Sequence, residues 1–332
     1  MHSAVLVTGG AGYIGSHTCK ALADAGFEPV TIDNLVYGHR SAVKWGPLIE
    51  GDLADSNLLD KTLRKYRPLG VIHFAAYAYV GESMRDPGKY FRNNVCGSVN
   101  LLEAMARNGC NCVVFSSTCA TYGVPEHIPI DEQSKQQPVN PYGESKLAVE
   151  RTLWWYWQCH KIKYAALRYF NAAGADAAGE IGEAHDPETH LIPLTIEAAL
   201  GLRDHVEVYG SDYETPDGTA IRDYIHVTDL ADAHVRSLTC LLDKGQTMTL
   251  NLGTGRGHSV REVISAVELA AGNKVPVKAA PRRPGDPPVL VAESSLAQST
   301  LGWKPKHSSL KEIVTSAWRW HSKQCGANLQ ES

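Results

Sequence analysis

Short apolar runs recur along the first half of the chain, separated by stretches with helical spacing of apolar positions. Ala4-Val5-Leu6-Val7-Thr8 leads into Gly9-Gly10-Ala11-Gly12-Tyr13-Ile14-Gly15, and Val30-Thr31-Ile32 ends in Asp33-Asn34. Leu48-Ile49-Glu50 precedes a Gly51-Asp52-Leu53 loop, and Gly70 to Ala76, Cys112 to Thr118 and Tyr164 to Phe170 complete the series. Runs of this length with little polar alternation are the pattern of strands covered on both faces, as in a parallel sheet. Between them a helix is predicted from about Pro87 to Arg107, with Val95, Val99, Leu102 and Met105 on one face, and another carries Tyr142 and Lys146 toward His160. The expected fold is α/β: a Rossmann-like doubly wound parallel sheet over residues 1–171, with helices on both faces. From 172 to 332 the chain has more Pro and Gly and longer loops, as for a smaller, interleaved C-terminal substrate-binding domain. A segment near 223–255, ending in Leu250-Asn251-Leu252-Gly253-Thr254-Gly255, is expected to return to the main sheet. Trp154, Trp155, Tyr156 and Trp157 occupy consecutive helical positions that point in all directions, so they serve either a helix-to-helix homodimer contact or packing within one chain.

With 332 residues the chain can bury a large core, and its formal net charge of -4 gives no basic signature. Nucleic acid and anionic membrane surfaces are therefore not expected partners. No apolar stretch is long enough to span a bilayer, and the first strand begins almost at Met1, leaving no room for a signal peptide, so the expected location is cytoplasmic. The eight cysteines lack framework spacing, and Cys110-x-Cys112 has no second pair to make a zinc site; they read as reduced and structural. His185 and His190 flank an acidic loop, but no helix-borne His pair comes with a third ligand. That loop reads as polar chain beside a ligand site, and no metal is expected.

The chemistry lies in two motifs. Strand, glycine turn and helix at the N-terminus form the dinucleotide pattern: Gly9 for the turn, Gly12 for backbone approach to a diphosphate, and Gly15 for close helix packing, with the helix N-terminus facing the anion. Asp33 then stands where a carboxylate accepts hydrogen bonds from an adenosine ribose and repels a 2'-phosphate, which favours NAD over NADP. Tyr142 and Lys146 are one helical turn apart on one face. A free phenol titrates near ~10, so a tyrosine base needs a neighbouring cation, and Lys146 is expected to lower the Tyr142 pKa. In an open parallel sheet ligands collect beyond the carboxyl ends of the strands, where the glycine loop, Asp33, Asp52, Phe74, Thr118 and Asn171 all fall.

These motifs, with His73-Phe74-Ala75, Val80-Gly81-Glu82-Ser83, Ser116-Ser117-Thr118 before Tyr122-Gly123, Arg168-Tyr169-Phe170-Asn171, Arg222-Asp223-Tyr224 and Pro281-Arg282-Arg283 with Gly285-Asp286, resemble the extended short-chain dehydrogenase/reductase family, and within it the 4-epimerases of UDP-hexoses. The similarity runs from the N-terminal strand to about Trp320. It implies that Tyr142 acts as base toward the sugar 4'-hydroxyl, that Lys146 holds the phenolate and the nicotinamide ribose, and that Thr118 hydrogen-bonds the same hydroxyl. Hydride passes to tightly bound NAD and returns to the other face of a 4-keto sugar that turns over in the pocket. By the same resemblance Gly9, Gly12, Tyr13, Ile14, Gly15, Asp33, Asn34, Gly38, Asp52, Leu53, Phe74, Ala75, Asn93, Ser116 and Phe170 surround NAD together with Tyr142 and Lys146. Arg222 and Arg283 grip the substrate diphosphate, lined by Asn171, Leu191 and Asp286, and Val208 and Tyr209 lie by the uracil.

The chain departs from the family pattern at Ala78, where some members place a cofactor-contacting lysine, and at His190, which replaces an asparagine. Leu290 stands where, in the members this chain resembles, a bulky aromatic residue restricts N-acetyl sugars and a small one admits them; a leucine leaves that tolerance open, and the sequence as a whole leaves open epimerases of UDP-glucuronate and of UDP-xylose or UDP-arabinose. Same-fold dehydratases follow the threonine with an Asp-Glu pair; Cys119 and Ala120 stand here and cannot perform that elimination. A non-catalytic NAD-binding protein is disfavoured by the intact Thr118, Tyr142 and Lys146.

Overall fold

The computed structural model describes residues 3–283 and 285–328. Its first half is strand β1 (Ala4–Thr8), helix α1 (Tyr13–Asp24), β2 (Glu28–Asp33), β3 (Leu48–Glu50), α2 (Ser56–Tyr66), β4 (Val71–His73), α3 (Val80–Arg85), α4 (Pro87–Tyr90), α5 (Gly97–Asn108), β5 (Cys112–Thr118), α6 (Pro141–His160) and β6 (Lys163–Tyr169). Then follow β7 (Asn171–Ala173), α7 (Leu191–Ala199), β8 (Val206–Tyr209), β9 (Ile221–His226), α8 (Val227–Lys244), β10 (Met248–Leu252), β11 (Gly257–Ser259), α9 (Val260–Ala271), β12 (Val277–Ala280), β13 (Val289–Leu290), α10 (Ser295–Leu301) and α11 (Leu310–Asn328).

The main sheet has seven strands in the order β10-β6-β5-β4-β1-β2-β3, all parallel to their neighbours. This is a doubly wound sheet whose strand order reverses between β1 and β4, opening a crevice at their carboxyl ends. Alternate side chains feed two cores. Val5, Val7, Ile72, Val114, Leu167 and Leu250 pack with Leu22 of α1 and Leu230, Leu238 and Leu241 of α8. On the opposite face Leu6, Ile32, Val113, Phe115 and Ala166 meet Leu59 and Leu63 of α2, Leu101 and Met105 of α5, and Val149 and Leu153 of α6. β10 completes the edge beside β6, so the chain re-enters the main sheet from the second half.

The second lobe holds its own core, in which Ile192 and Ile196, Val206 and Val208, Val263 and Val267, and Ile313 and Val314 interlock. β9 is flanked by β11, β13 and β7, and β8 pairs with β12. The helix expected from Pro87 to Arg107 is interrupted: α4 passes into a π-helical segment, Phe91–Cys96, before α5. The extra residue in each of those turns shifts the face that follows, so Val95 and Val99 are half-buried and Gly97, Ser98 and Leu101 lie inside. No helix among the described residues is long and apolar enough to cross a membrane.

The lobes are tied at the start of α8, where buried Asp229 accepts the amides of Lys306 and His307, each at 2.9 Å, and the Ser308 hydroxyl at 2.6 Å. Asp229→Ala leaves those donors without their carboxylate and is expected to lower unfolding stability by about 2–4 kcal/mol, read from urea denaturation. A loss below about 0.5 kcal/mol, the scale of an ordinary surface change, would show that the 306–308 turn holds without it.

Candidate active site

The cradle at the first strand's carboxyl end follows from glycine. Gly9 has φ +73°, and a Cβ there would lie 2.6 Å from the Ala75 amide nitrogen, so only glycine lets the β1 turn approach the end of β4. A Cβ on Gly15 would sit 2.2 Å from the Gly9 carbonyl oxygen, which explains how α1 starts so close to the turn. No side chain caps the amides of the first turn of α1, which begins after Gly12, leaving them to face an anion. Asp33 at the end of β2 accepts the Ala11 amide at 3.0 Å and the Leu35 amide at 2.9 Å, and Gly38 packs directly on its carboxylate. Burial raises the Asp33 pKa, partly offset by those amides. Asn34 donates to Asp52 at 2.7 Å, setting both at the rim. The cradle, the open helix terminus and the carboxylate fit a dinucleotide.

The catalytic candidates converge because α6 begins where β5 ends. Asn140 caps α6 by accepting the Gly143 amide at 2.8 Å. Gly143 is required, since a Cβ there would meet the Ala120 carbonyl oxygen at 2.6 Å, in the turn that follows Thr118. Tyr142 is thereby seated by Thr118, and Lys146, one turn on, donates to the Ser116 carbonyl at 2.8 Å with its ammonium 4.9 Å from the Phe115 ring centroid. The Ser116 hydroxyl bonds the Tyr169 hydroxyl.

The electrostatics correct one expectation. Burial raises the Tyr142 phenol to about 12; the Thr118 hydroxyl pulls it down and Cys119 pushes it further up, while Lys146 has no resolved effect on it. Lys146 is itself lowered to about 7 by burial, against the pull of Glu150. Desolvation outweighs a cation 6.0 Å from the phenol ring centroid, so the protein alone keeps the phenol neutral and leaves the Lys146 ammonium only partly populated at neutral pH.

Glu150 extends the same helical face by another turn. It accepts from Arg168 Nε at 2.9 Å and Nη2 at 2.6 Å, and from the Ser117 hydroxyl. Arg168 Nη1 donates to the Tyr122 hydroxyl at 2.9 Å, which in turn donates to Asn251 at 2.7 Å. On the other side buried Asn94, in the π-helical segment beside Asn93, takes the Tyr77 amide at 2.8 Å and donates to the Ser145 hydroxyl at 3.0 Å. The sequence reading assigned no role to Glu150 or Asn94; the signal for Glu150 was its place on the Tyr142–Lys146 face.

The second lobe brings Arg222, Asp286, Arg283 and Tyr209 to the same side. Arg222 donates to Asp286 at 2.6 Å, and the Arg283 guanidinium lies 4.0 Å over the Tyr209 ring. Val208 departs from the expectation: the alternation along β8 turns its side chain into the lobe's core while Tyr209 faces Arg283. Asn171 pairs with Tyr224 of β9, Leu191 opens α7, and Leu290 packs with Phe170 and Cys119 at the base of the crevice. Asp223, also without an assigned role, is fully buried and receives the Thr254 amide at 2.9 Å and hydroxyl at 2.7 Å.

A doubly wound sheet with Tyr142, Lys146 and Thr118 at its carboxyl edge and a separate arginine-bearing lobe defines a nucleotide-cofactor enzyme of the short-chain dehydrogenase/reductase type. Residues 5–253 match the NAD dependent epimerase/dehydratase family, and the chain belongs to that family. It is 54% identical over 319 residues, 96% of this chain and 97% of the other, to a UDP-glucose 4-epimerase of Rhizobium leguminosarum bv. trifolii. Among solved structures it superposes on the UDP-glucose 4-epimerase of Brucella ovis in complex with NAD with TM-score 0.94 at 54% identity, covering 96% of this chain and 98% of that one. It also superposes on that of Stenotrophomonas maltophila, with bound NAD and formylated UDP-arabinopyranose, with TM-score 0.95 at 42% identity, covering 98% and 100%.

The Lys146 shift sets a pH dependence in cofactor-stripped protein. A lysine held near 7 when folded and near 10.5 when unfolded binds fewer protons in the native state across that window, so its penalty is full below pH 7 and stability rises as pH increases through it. Urea denaturation from pH 7 to 10 is expected to show this rise, up to about 1.4 kcal/mol per pH unit, relative to Lys146→Met. Parallel curves for the two proteins would show that Lys146 is solvated.

Proposed function

We propose that this enzyme inverts C4' of a UDP-hexose, interconverting UDP-glucose and UDP-galactose through a transient 4-keto sugar. The observation that carries this reading is the joint presence of the Thr118, Tyr142 and Lys146 set at the sheet edge and the Arg222 and Arg283 anchors on the other lobe. Bound NAD would be held by Gly9 to Gly15, Asp33 and Lys146, and supplies a hydride acceptor that is also the donor for the return step. The phenolate form of Tyr142, which the Lys146 ammonium stabilises, takes the proton of the 4'-hydroxyl that Thr118 orients and becomes the phenol. The same phenol gives that proton back to O4' once C4' has presented its other face for the return step, so the sugar must turn while its nucleotide stays fixed. Arg222, braced by Asp286, and Arg283, stacked on Tyr209, suit the fixed end. Burial raises the Cys119 thiol to about 12, so it offers no thiolate beside Thr118 for an elimination.

The chain is proposed to act as a homodimer. Trp154 and Trp155 are 43% and 60% exposed and meet edge to face at 4.6 Å on the outer side of α6. Exposed tryptophans on a helix are the anchors from which self-complementary helix contacts are made. A reducing compartment such as the cytoplasm suits cysteines that are all free, including exposed Cys96 and Cys159.

Purified protein given UDP-galactose without added cofactor is expected to produce a mixture with UDP-glucose, followed by proton NMR of the anomeric signals. Tyr142→Phe should retain NAD and lose roughly 100-fold to 10,000-fold in rate; near-normal turnover in that variant would remove Tyr142 from the chemistry. Trp155→Glu is expected to shift the sedimentation coefficient from dimer to monomer. An unchanged value would place the tryptophans outside the interface.

A further inference from the structure

The loop that leads into α7 gathers four donor side chains. Glu183, His185, Glu188 and His190 each present a ligand atom, and all four atoms lie within 4.8 Å of one another. The Nδ1 atoms of both histidines face the carboxylates: His190 lies 2.8 Å from Glu183 and 3.0 Å from Glu188, and His185 lies 3.0 Å and 3.8 Å from the same pair. Bonds of about 2.0–2.2 Å to nitrogen and oxygen place tetrahedral ligands about 3.4 Å apart, the middle of that range. The geometry points to a structural divalent metal site, of the zinc class, formed by Glu183, His185, Glu188 and His190.

Several features build the site. Both glutamates are buried, with side-chain exposures of 5% and 7%, whereas His190 at 43% leaves a path of entry. The loop backbone is fixed from three directions: Trp320 donates to the Glu183 carbonyl at 2.8 Å, the His39 ring meets the Ala184 carbonyl at 2.6 Å, and the Glu188 carboxylate takes the Thr189 and His190 amides at 2.6 Å and 2.8 Å. Those amides occupy one oxygen of Glu188, leaving the other to face His185. Tyr13 and Tyr79 close the site by packing their edges on the His185 ring, at 6.2 Å and 6.1 Å between centroids. The Tyr79 hydroxyl is buried without a hydrogen-bond partner among the described residues.

Two imidazoles and two carboxylates suit zinc and its first-row neighbours, and a divalent ion balances the two carboxylates with both rings neutral. Binding forms four ligand bonds and displaces any protons shared between rings and carboxylates. The consequence is positional. His190 immediately precedes Leu191, and Tyr13 opens α1 just after the glycine turn, so an ion here braces the start of α7 against the cofactor side of the crevice. The competing arrangement is a lattice of histidine–glutamate ion pairs with no ion at its centre.

The test uses the full chain without a histidine tag. After exhaustive dialysis, mass spectrometry of the elements is expected to find about one zinc per chain. EDTA-stripped protein should bind Zn2+ at one site per chain by calorimetry and develop the visible bands of tetrahedral Co2+. His185→Ala and Glu183→Gln should each weaken Zn2+ binding at least about tenfold and abolish the Co2+ bands, since loss of even an outer-shell partner costs that much. Circular dichroism and retained NAD certify that the variants are folded, and the stripped wild-type protein decides the matter by itself if they are not. No uptake of Zn2+ or Co2+ by that protein, or uptake that both folded variants keep at full affinity, would overturn the proposal in favour of the ion-pair lattice or a different site.

Discussion

Arg168 lies in β6 with almost no access to solvent, and a guanidinium cannot be buried alone. Its partner is Glu150, which sits on the helix face that also carries Tyr142 and Lys146. The ion pair therefore does more than neutralise a charge: it fixes the rotation of α6 against β5 and β6. Through Tyr122 and Asn251 the network reaches β10, and Asn251 also donates to the Ile130 carbonyl at 2.9 Å. A buried pair of this kind is weak evidence for net stability, since an apolar replacement can match it. Its value here is registry. Turning α6 by one residue would separate Glu150 from Arg168 and swing Tyr142 away from Thr118 in the same motion.

Once α6 is fixed, the charge state of the site depends on its content. The crevice pushes the phenol up and the amine down because both lie in apolar surroundings and neither has a counterion in contact. Proton transfer is then sensitive to any charge introduced beside them, a sensitivity that a wet, screened site would lack. Thr118 is the one neighbour whose hydroxyl lowers the phenol, and it is also the group placed to orient a substrate hydroxyl. The local chemistry of the crevice thus distinguishes its hydroxyl end from its apolar surroundings.

Most of the main sheet was legible in the sequence because strands covered on both faces have little freedom in composition; Ala4 to Thr8 and Cys112 to Thr118 cannot be read otherwise. The glycine cradle was legible for a similar reason, since Gly9 and Gly15 answer to backbone approaches that exclude a Cβ. Features that depend on distant partners were not. The π-helical turn at Phe91–Cys96 follows from where Asn94 meets Tyr77 and Ser145, contacts invisible to helical periodicity. Val208 and Tyr209 looked equivalent by position, and only the pairing of β8 with β12 and the lobe's core decides which one faces inward. The mutual effect of Tyr142 and Lys146 was overestimated because spacing on a helix gives direction but not desolvation. Glu183, His185, Glu188 and His190 lie in a loop and not on a helix, so their convergence depends on the chain path held by Trp320 and His39.

The residues proposed to face the substrate are held with different stiffness in the two lobes, a difference that the proposed inversion at C4' requires. Arg222 is fixed by Asp286 and by carbonyl oxygens at Ile221 and Pro287, at 2.7 Å and 2.8 Å, while Tyr209 supports Arg283 from beneath. Preorganised guanidinium groups lose little freedom on meeting a diphosphate. At the other end Phe170, Leu290 and Cys119 belong to one packed apolar cluster, and in the proposed reaction such a surface would offer few donors to hold a sugar in one orientation. In the proposed reaction, binding free energy concentrated at the diphosphate would leave the sugar able to rotate without dissociating, whereas strong polar contacts along the apolar side would favour one epimer's pose and oppose the turn. The proposed division of labour, anchored at the arginines and slack at the apolar cluster, would thus draw its fixed end from the second lobe and its slack end from the ends of β5 and β6 as well as from Leu290.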